Sequence, residues 1–170
     1  MLVDLGSRIN IVGCNTERDF SLEAEKHGLQ TTYEKRKHQL NVNGVGAGSA
    51  PCNEMASIPI AVAYEESPGK LDEYRTNIAT GSVSDLPAIL GLASMQDKDT
   101  VIVLRKGKEF LAFPGPGGYK VEWSPGTQLL PMTSAPSGHL VVPCDRFDRV
   151  ADLTAKKKDD TTVFITDHTR

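Results

Sequence analysis

No stretch of this sequence approaches the roughly 20 consecutive apolar residues that a membrane-spanning helix needs. The N-terminus also has neither the basic n-region nor the apolar h-region of a secretory signal. No membrane partner is implied. Charge of one sign is scarce as well. The 170 residues carry a formal net charge of −3, spread along the chain, which argues against nucleic-acid binding through a large electrostatic footprint. Lys35-Arg36-Lys37 and Lys156-Lys157-Lys158 are the basic runs, and both read as solvated loop segments. Cysteine is rare. Cys14, Cys52 and Cys144 lie far apart and form no C-x-x-C pair, which argues against a disulfide framework or a zinc site. His139 and Cys144 can join a metal site only with residues folded nearby. Ordinary thiols in a reducing compartment are the simpler reading, and they imply an intracellular, cytoplasmic location. No repeat of solenoid length is present.

What is present suffices for one core. With 39% hydrophobic residues, the chain reads as a single domain over 1–145 followed by a charged linker or tail over 146–170. Thr162 to Thr166 can add a strand if a partner edge exists. Val3, Ile9, Ile11 and Val12 surround a break at Gly6-Ser7, which predicts two strands joined by a tight turn. Thr16-Glu17-Arg18-Asp19 fits a capped helix start, and His27-Gly28 a stop, so a helix is expected over Thr16 to His27. Leu40 to Gly46 and Ile58 to Tyr64 flank a glycine-rich tip and predict a long hairpin. A strand follows at Tyr74 to Ala79, then a buried strand ending at Gly91 and a short helix. Thr100 to Leu104 and Glu109 to Phe113 flank the basic turn Arg105-Lys106-Gly107-Lys108. Tyr119 to Trp123, Thr127 to Leu130 and His139 to Val142 are expected as further strands, with Pro or Gly at every break.

Most chemistry that such a chain can carry has a simpler explanation. Gly44-x-Gly46-x-Gly48 lacks the Lys-Ser/Thr of a phosphate loop and the strand-to-helix setting of a dinucleotide fingerprint. Ser7 or Ser137 with His139 invites comparison with a hydrolase pair, but no nucleophile elbow is present. Pro114 to Gly118 reads as a surface turn. Val3-Asp4-Leu5-Gly6-Ser7 is stronger: an apolar strand delivers a carboxylate onto a glycine-containing turn, and another apolar strand follows. Taken alone, an Asp that merely caps or bends a turn is the better explanation.

Order adds information. The turn is followed by a helix, a glycine-tipped hairpin and an apolar strand reaching Ile89-Leu90-Gly91. This series resembles the retropepsin-like aspartic proteases of retrotransposon polyproteins, which have an Asp-Thr/Ser-Gly-Ala/Ser turn, a glycine-rich flap and a hydrophobic-hydrophobic-Gly element packed behind the turn. The resemblance is carried by Leu2 to Val12, Val42 to Val62 and Leu86 to Met95. It implies a mainly β, barrel-like acid-protease fold with one helix after the catalytic turn.

Residue by residue, the resemblance makes Asp4 the catalytic carboxylate and Leu5, Gly6 and Ser7 the turn that presents it. Val45, Gly46, Ala47 and Gly48 become the flap tip over an extended polypeptide substrate, and Ile89, Leu90 and Gly91 the packing behind the turn. It implies a homodimer in which each subunit gives one Asp, and the pair shares a proton because two adjacent carboxylates cannot both ionise cheaply. One takes a proton from the attacking water while its protonated partner donates to the developing oxyanion. No metal or organic cofactor is implied.

Two departures stand out. Leu5 occupies the position of a Thr or Ser whose hydroxyl bonds across the dimer interface. The strand that precedes the turn in the family is not seen before Met1, so the chain is expected to be cut from something longer. The alternatives are a catalytically inactive remnant of such a protease, or a β-rich peptide-binding module that uses the hairpin as an edge.

Overall fold

The computed structural model describes residues 1–43, 49–64 and 67–145. The expected flap tip at Val45, Gly46, Ala47 and Gly48 and the expected tail over 146–170 lie outside the described residues.

Two very short strands, β1 (Leu2–Asp4) and β2 (Ile11–Gly13), flank the Asp4 turn. Ile11 and Val12 are β-branched and fully buried, which suits a central strand covered on both faces. The chain passes directly from β2 into helix α1 (Cys14–Lys26). That start lies ahead of the expected Thr16, and no side chain caps it. The loop over 84–86 does the capping instead. Asn15 N donates to Ser84 O at 2.9 Å, and Asn15 Nδ2 to Asp85 Oδ1 at 2.8 Å. Helix N–H groups left without intrahelical partners need such acceptors. Gly13 permits the approach, since a Cβ there would overlap the backbone of Ser84 and Leu86.

A meander follows: β3 (Thr32–Asn43), β4 (Ser49–Tyr64) and β5 (Ser67–Ala79). Both neighbouring pairs are antiparallel, with Thr32 opposite Ser57 and Ile58 opposite Tyr74. These strands are much longer than expected. β3 begins inside the polar stretch before Leu40, where the side chains are mostly exposed. An edge strand needs only backbone partners on one side, so it carries little apolar signal.

A 3-10 turn at Gly81–Val83 leads to β6 (Ile89–Gly91) and the short helix α2 (Leu92–Gln96). β6 lies between β1 and β2, giving the sheet order β1-β6-β2-β5-β4-β3. The β1/β6 and β2/β5 pairs are parallel, while β2/β6 is antiparallel. The sheet is therefore mixed. Among the described residues it does not close into a barrel, which corrects the barrel-like expectation: β1 and β3 are its opposite edges and do not pair with each other.

Adjacent strand residues point to opposite faces, and the core divides accordingly. Ile11, Ala79 and Ile89 belong to one buried cluster, with Cys52 and Val83. Their neighbours Val12, Ile78 and Ala88 belong to another, with Ile58, Tyr74 and the helix residue Phe20.

After α2 the chain forms two small hairpins. β7 (Val101–Arg105) pairs with β8 (Lys108–Ala112), and β9 (Thr133–Ser134) with β10 (Leu140–Val141). The strands expected at Tyr119 to Trp123 and Thr127 to Leu130 do not form. These residues are exposed and pair with no described strand, and the surrounding prolines and glycines interrupt any ladder. No helix among the described residues is long and apolar enough to cross a membrane.

Candidate active site

Asp4 ends β1 and opens a tight turn. Gly6 N donates to Asp4 Oδ1 at 2.8 Å, and Ser7 N to Asp4 O at 3.3 Å. The carboxylate is thus oriented by the backbone of its own turn, as short Asp side chains commonly are. Ser7 directs its hydroxyl to Ile9 O at 2.8 Å, so it braces the turn and is not free as a nucleophile.

The turn rests on β6 and α2. Val3 lies beside Leu90 and Asp4 beside Gly91. A Cβ at Gly91 would overlap the backbone of Ile9, so only glycine lets the two segments approach this closely. The first N–H groups of α2 complete the contact, with Leu92 N donating to Ser7 O at 2.7 Å and Ala93 N to Arg8 O at 2.9 Å. Of the residues singled out in the sequence, Asp4, Leu5, Gly6, Ser7, Ile89, Leu90 and Gly91 therefore form one unit.

Asp4 is half-buried and opens onto a cleft of about 550 Å³. Val3, Leu5 and Gly6 form one wall, and the β7–β8 hairpin forms the other through residues that include Ile102, Leu104 and Phe110. Leu5 and Leu104 are exposed. A mainly apolar cleft that carries an oriented carboxylate suits an extended chain with hydrophobic side chains. Glu109 also lines the cleft, with its Oε1 accepting from Gly107 N at 3.0 Å.

Three residues support the site in roles that the sequence did not reveal. Asn10 accepts from Gly91 N at 2.9 Å and donates to Arg75 O at 2.9 Å, while its own carbonyl takes Asn77 Nδ2 at 2.9 Å. It joins the exit of the turn to β5 and β6. Its signal was a polar residue between Ile9 and Ile11. Tyr74 is buried and donates toward Ile89 O at 2.7 Å and Ile11 O at 3.2 Å. Burial pushes its hydroxyl up to about 12. His139 reaches the turn from the far end of the chain, its Nε2 lying 2.9 Å from Gly6 O.

Other chemistry finds less support. His139 Nδ1 is 2.8 Å from Ser137 Oγ, but both residues lie on an exposed hairpin, and the other ring nitrogen is engaged by a carbonyl where a triad would place a carboxylate. Burial pushes the Cys52 thiol up, which makes it a poor nucleophile. Among the described residues no group of three or more His, Cys, Asp or Glu side chains is arranged to hold a metal ion.

Fold and site together define a mainly β protein with an open mixed sheet and an Asp-bearing turn braced by a threaded strand. Compared with protein-family models and with curated proteins, the chain matches none.

Proposed function

We propose that this chain is a retropepsin-like aspartic endopeptidase of a retroelement polyprotein, acting as a homodimer to which each subunit contributes Asp4. The observation that carries this reading is the insertion of β6 between the two arms of the Asp4 turn, with Gly91 against Ile9 and Asp4 facing an apolar cleft. That is the relation which the resemblance requires of the Ile89-Leu90-Gly91 element. Leu2, Val3 and Leu5 stand exposed beside Asp4, which supports a second copy meeting this edge.

In the dimer, the paired Asp4 carboxylates share one proton. One accepts a proton from water as the water attacks the peptide carbonyl, and the other donates to the carbonyl oxygen. The Gly6 N–H to Asp4 Oδ1 bond holds the carboxylate in place for this step.

Leu5 favours one competing reading, a peptide-binding module in the same cleft without hydrolysis, because a leucine cannot make the hydrogen bonds of the family's hydroxyl. A peptide-library cleavage assay from acidic to neutral pH, with Asp4→Asn as its paired control, separates the two. The peptidase reading expects cleavage to fall by at least about 1,000-fold in Asp4→Asn while the thermal midpoint is kept. Peptide binding that is unaffected by Asp4→Asn, with no cleavage by either protein, moves the assignment to the binding module.

A further inference from the structure

We infer that the β9–β10 hairpin is an internal strap on the Asp4 turn and that His139 is the positioning residue through which it acts. The consequence for rate rests on the peptidase reading; the strap itself rests on contacts between segments more than a hundred residues apart in the chain.

Gly6 is held at both of its polar groups. Its N–H donates to Asp4 Oδ1 at 2.8 Å, and its carbonyl oxygen lies 2.9 Å from His139 Nε2. A carbonyl can only accept, so this bond requires the hydrogen on Nε2. Nδ1 of a neutral ring then accepts from Ser137 Oγ, 2.8 Å away, and Nδ1 of a protonated ring donates to it. Both ring nitrogens are thus engaged, one by the turn and one by the hairpin's own Ser137.

A second clasp lies one residue away. Arg8, just past the turn, donates from Nη1 to Gly138 O at 3.1 Å. Gly138 has φ +82°, and a Cβ there would run into the Arg8 guanidinium. The hairpin is closed by Gly138 N to Ala135 O at 2.8 Å and Ala135 N to His139 O at 2.9 Å. The His139 ring thus reaches the turn from the hairpin, and the Arg8 guanidinium reaches the hairpin from the turn.

Glycine rotates freely about φ and ψ. Without His139 the Gly6–Ser7 peptide can turn, taking with it the Ser7 N–H that donates to Asp4 O at 3.3 Å, and as the turn loosens the adjoining Gly6 N–H that orients Asp4 loses its fixed direction. His139 is absent from the cleft lining, so its loss should act on the orientation of the carboxylate and leave substrate contacts alone.

The test uses three variants of the full chain. His139→Leu removes the donor, His139→Gln keeps an amide N–H that can reach the same carbonyl, and Gly138→Ala displaces the tip while leaving the imidazole present. Cleavage kinetics and 15N relaxation of the Gly6 amide are measured on each, with the melting midpoint as a control for folding. We expect kcat to fall about five- to tenfold in His139→Leu and Gly138→Ala at unchanged KM. The Gly6 order parameter should drop from about 0.85 toward 0.6, and His139→Gln should restore both quantities at least in part.

An unchanged Gly6 order parameter in a folded His139→Leu protein overturns the strap. Equal loss in the Gln and Leu variants overturns the donor role of His139. If the parent protein cleaves nothing, the relaxation result still decides the strap, and the failure falls on the peptidase reading alone.

Discussion

Residues 1–96 and 97–145 handle their apolar side chains in opposite ways. The first region buries a core, in which Ile11, Val12 and Ile58 of the six-stranded sheet have essentially no exposure. In the second, Leu104, Phe110, Tyr119, Trp123, Leu129 and Leu130 all stand at least half exposed, and the strands come only as two-stranded hairpins. A lone two-stranded hairpin is marginal in water. The order of the second region therefore depends on the first, and the two meet at the Asp4 turn: β7–β8 faces it across the cleft, and β9–β10 touches Gly6 and Arg8. The lesson is a division of labour in which the sheet supplies stability and the hairpins shape the site.

The sharpest way to break that comparison is to strike the sheet where it carries the turn. Gly91→Ala forces a methyl group into the backbone of Ile9, and backbone cannot move aside as a side-chain tip can. We expect a loss of about 3 kcal/mol in urea unfolding. A loss below about 0.5 kcal/mol would show that β6 and the turn are looser than their packing indicates.

Tyr74→Phe comes next. It removes the donor shared by the Ile11 and Ile89 carbonyl oxygens, a loss of about 1–2 kcal/mol. The hydroxyl also predicts a pH dependence. Burial raises it from 10.0 to about 12 in the folded protein. Below the lower value both states keep the proton, and the contribution is constant. Between the two values the unfolded chain releases its proton while the folded chain holds it, so stability falls as pH rises. Tyr33 is shifted in the same direction, mainly by burial, so the informative quantity is the difference in alkaline slope between the parent and Tyr74→Phe. Equal slopes would mean that Tyr74 is not protected from solvent.

How much of this was legible in the sequence follows from the range of the interactions. The Asp4 turn, Ile89-Leu90-Gly91 and the Arg105 to Lys108 turn were readable because each is a local pattern of apolar run and glycine. The part of β3 before Leu40 was not, because an exposed edge strand of Thr, Lys, Arg and Gln is held by main-chain bonds to β4 that leave no side-chain periodicity. Tyr119 to Leu130 misled in the other direction. Its apolar content imitates strands, yet it pairs with no strand among the described residues. Asn10 and His139 lay beyond reach for a third reason: each acts through hydrogen bonds to residues distant in the chain, Asn10 to Gly91 81 positions away and His139 to Gly6 133 positions away. The helix start moved for the same kind of cause, since the loop over 84–86 replaces the expected cap.

A smaller effect is expected at Leu5, exposed beside Asp4. In the dimeric reading, Leu5→Thr restores a hydroxyl where the family places one. It should tighten the dimer by about 1 kcal/mol for each hydrogen bond formed, or raise the cleavage rate, while leaving monomer stability unchanged. Sedimentation equilibrium measures the first effect and peptide turnover the second. If neither changes, Leu5 is no handicap, and the binding-module reading loses its main support.

The smallest effect on stability should come from the hairpin side of the cleft, and there its smallness is informative. Leu104 is 80% exposed on β7, so Leu104→Ser gives up almost no buried area and should shift unfolding by less than about 0.5 kcal/mol. The same side chain lines the wall opposite Asp4. A bound peptide would cover it, and losing its apolar surface should weaken KM or peptide affinity about three- to tenfold. A change in affinity without a change in stability is what the division between sheet and hairpins requires. A substantial loss of stability would show that the hairpin belongs to the core after all, and unchanged affinity would place the substrate elsewhere.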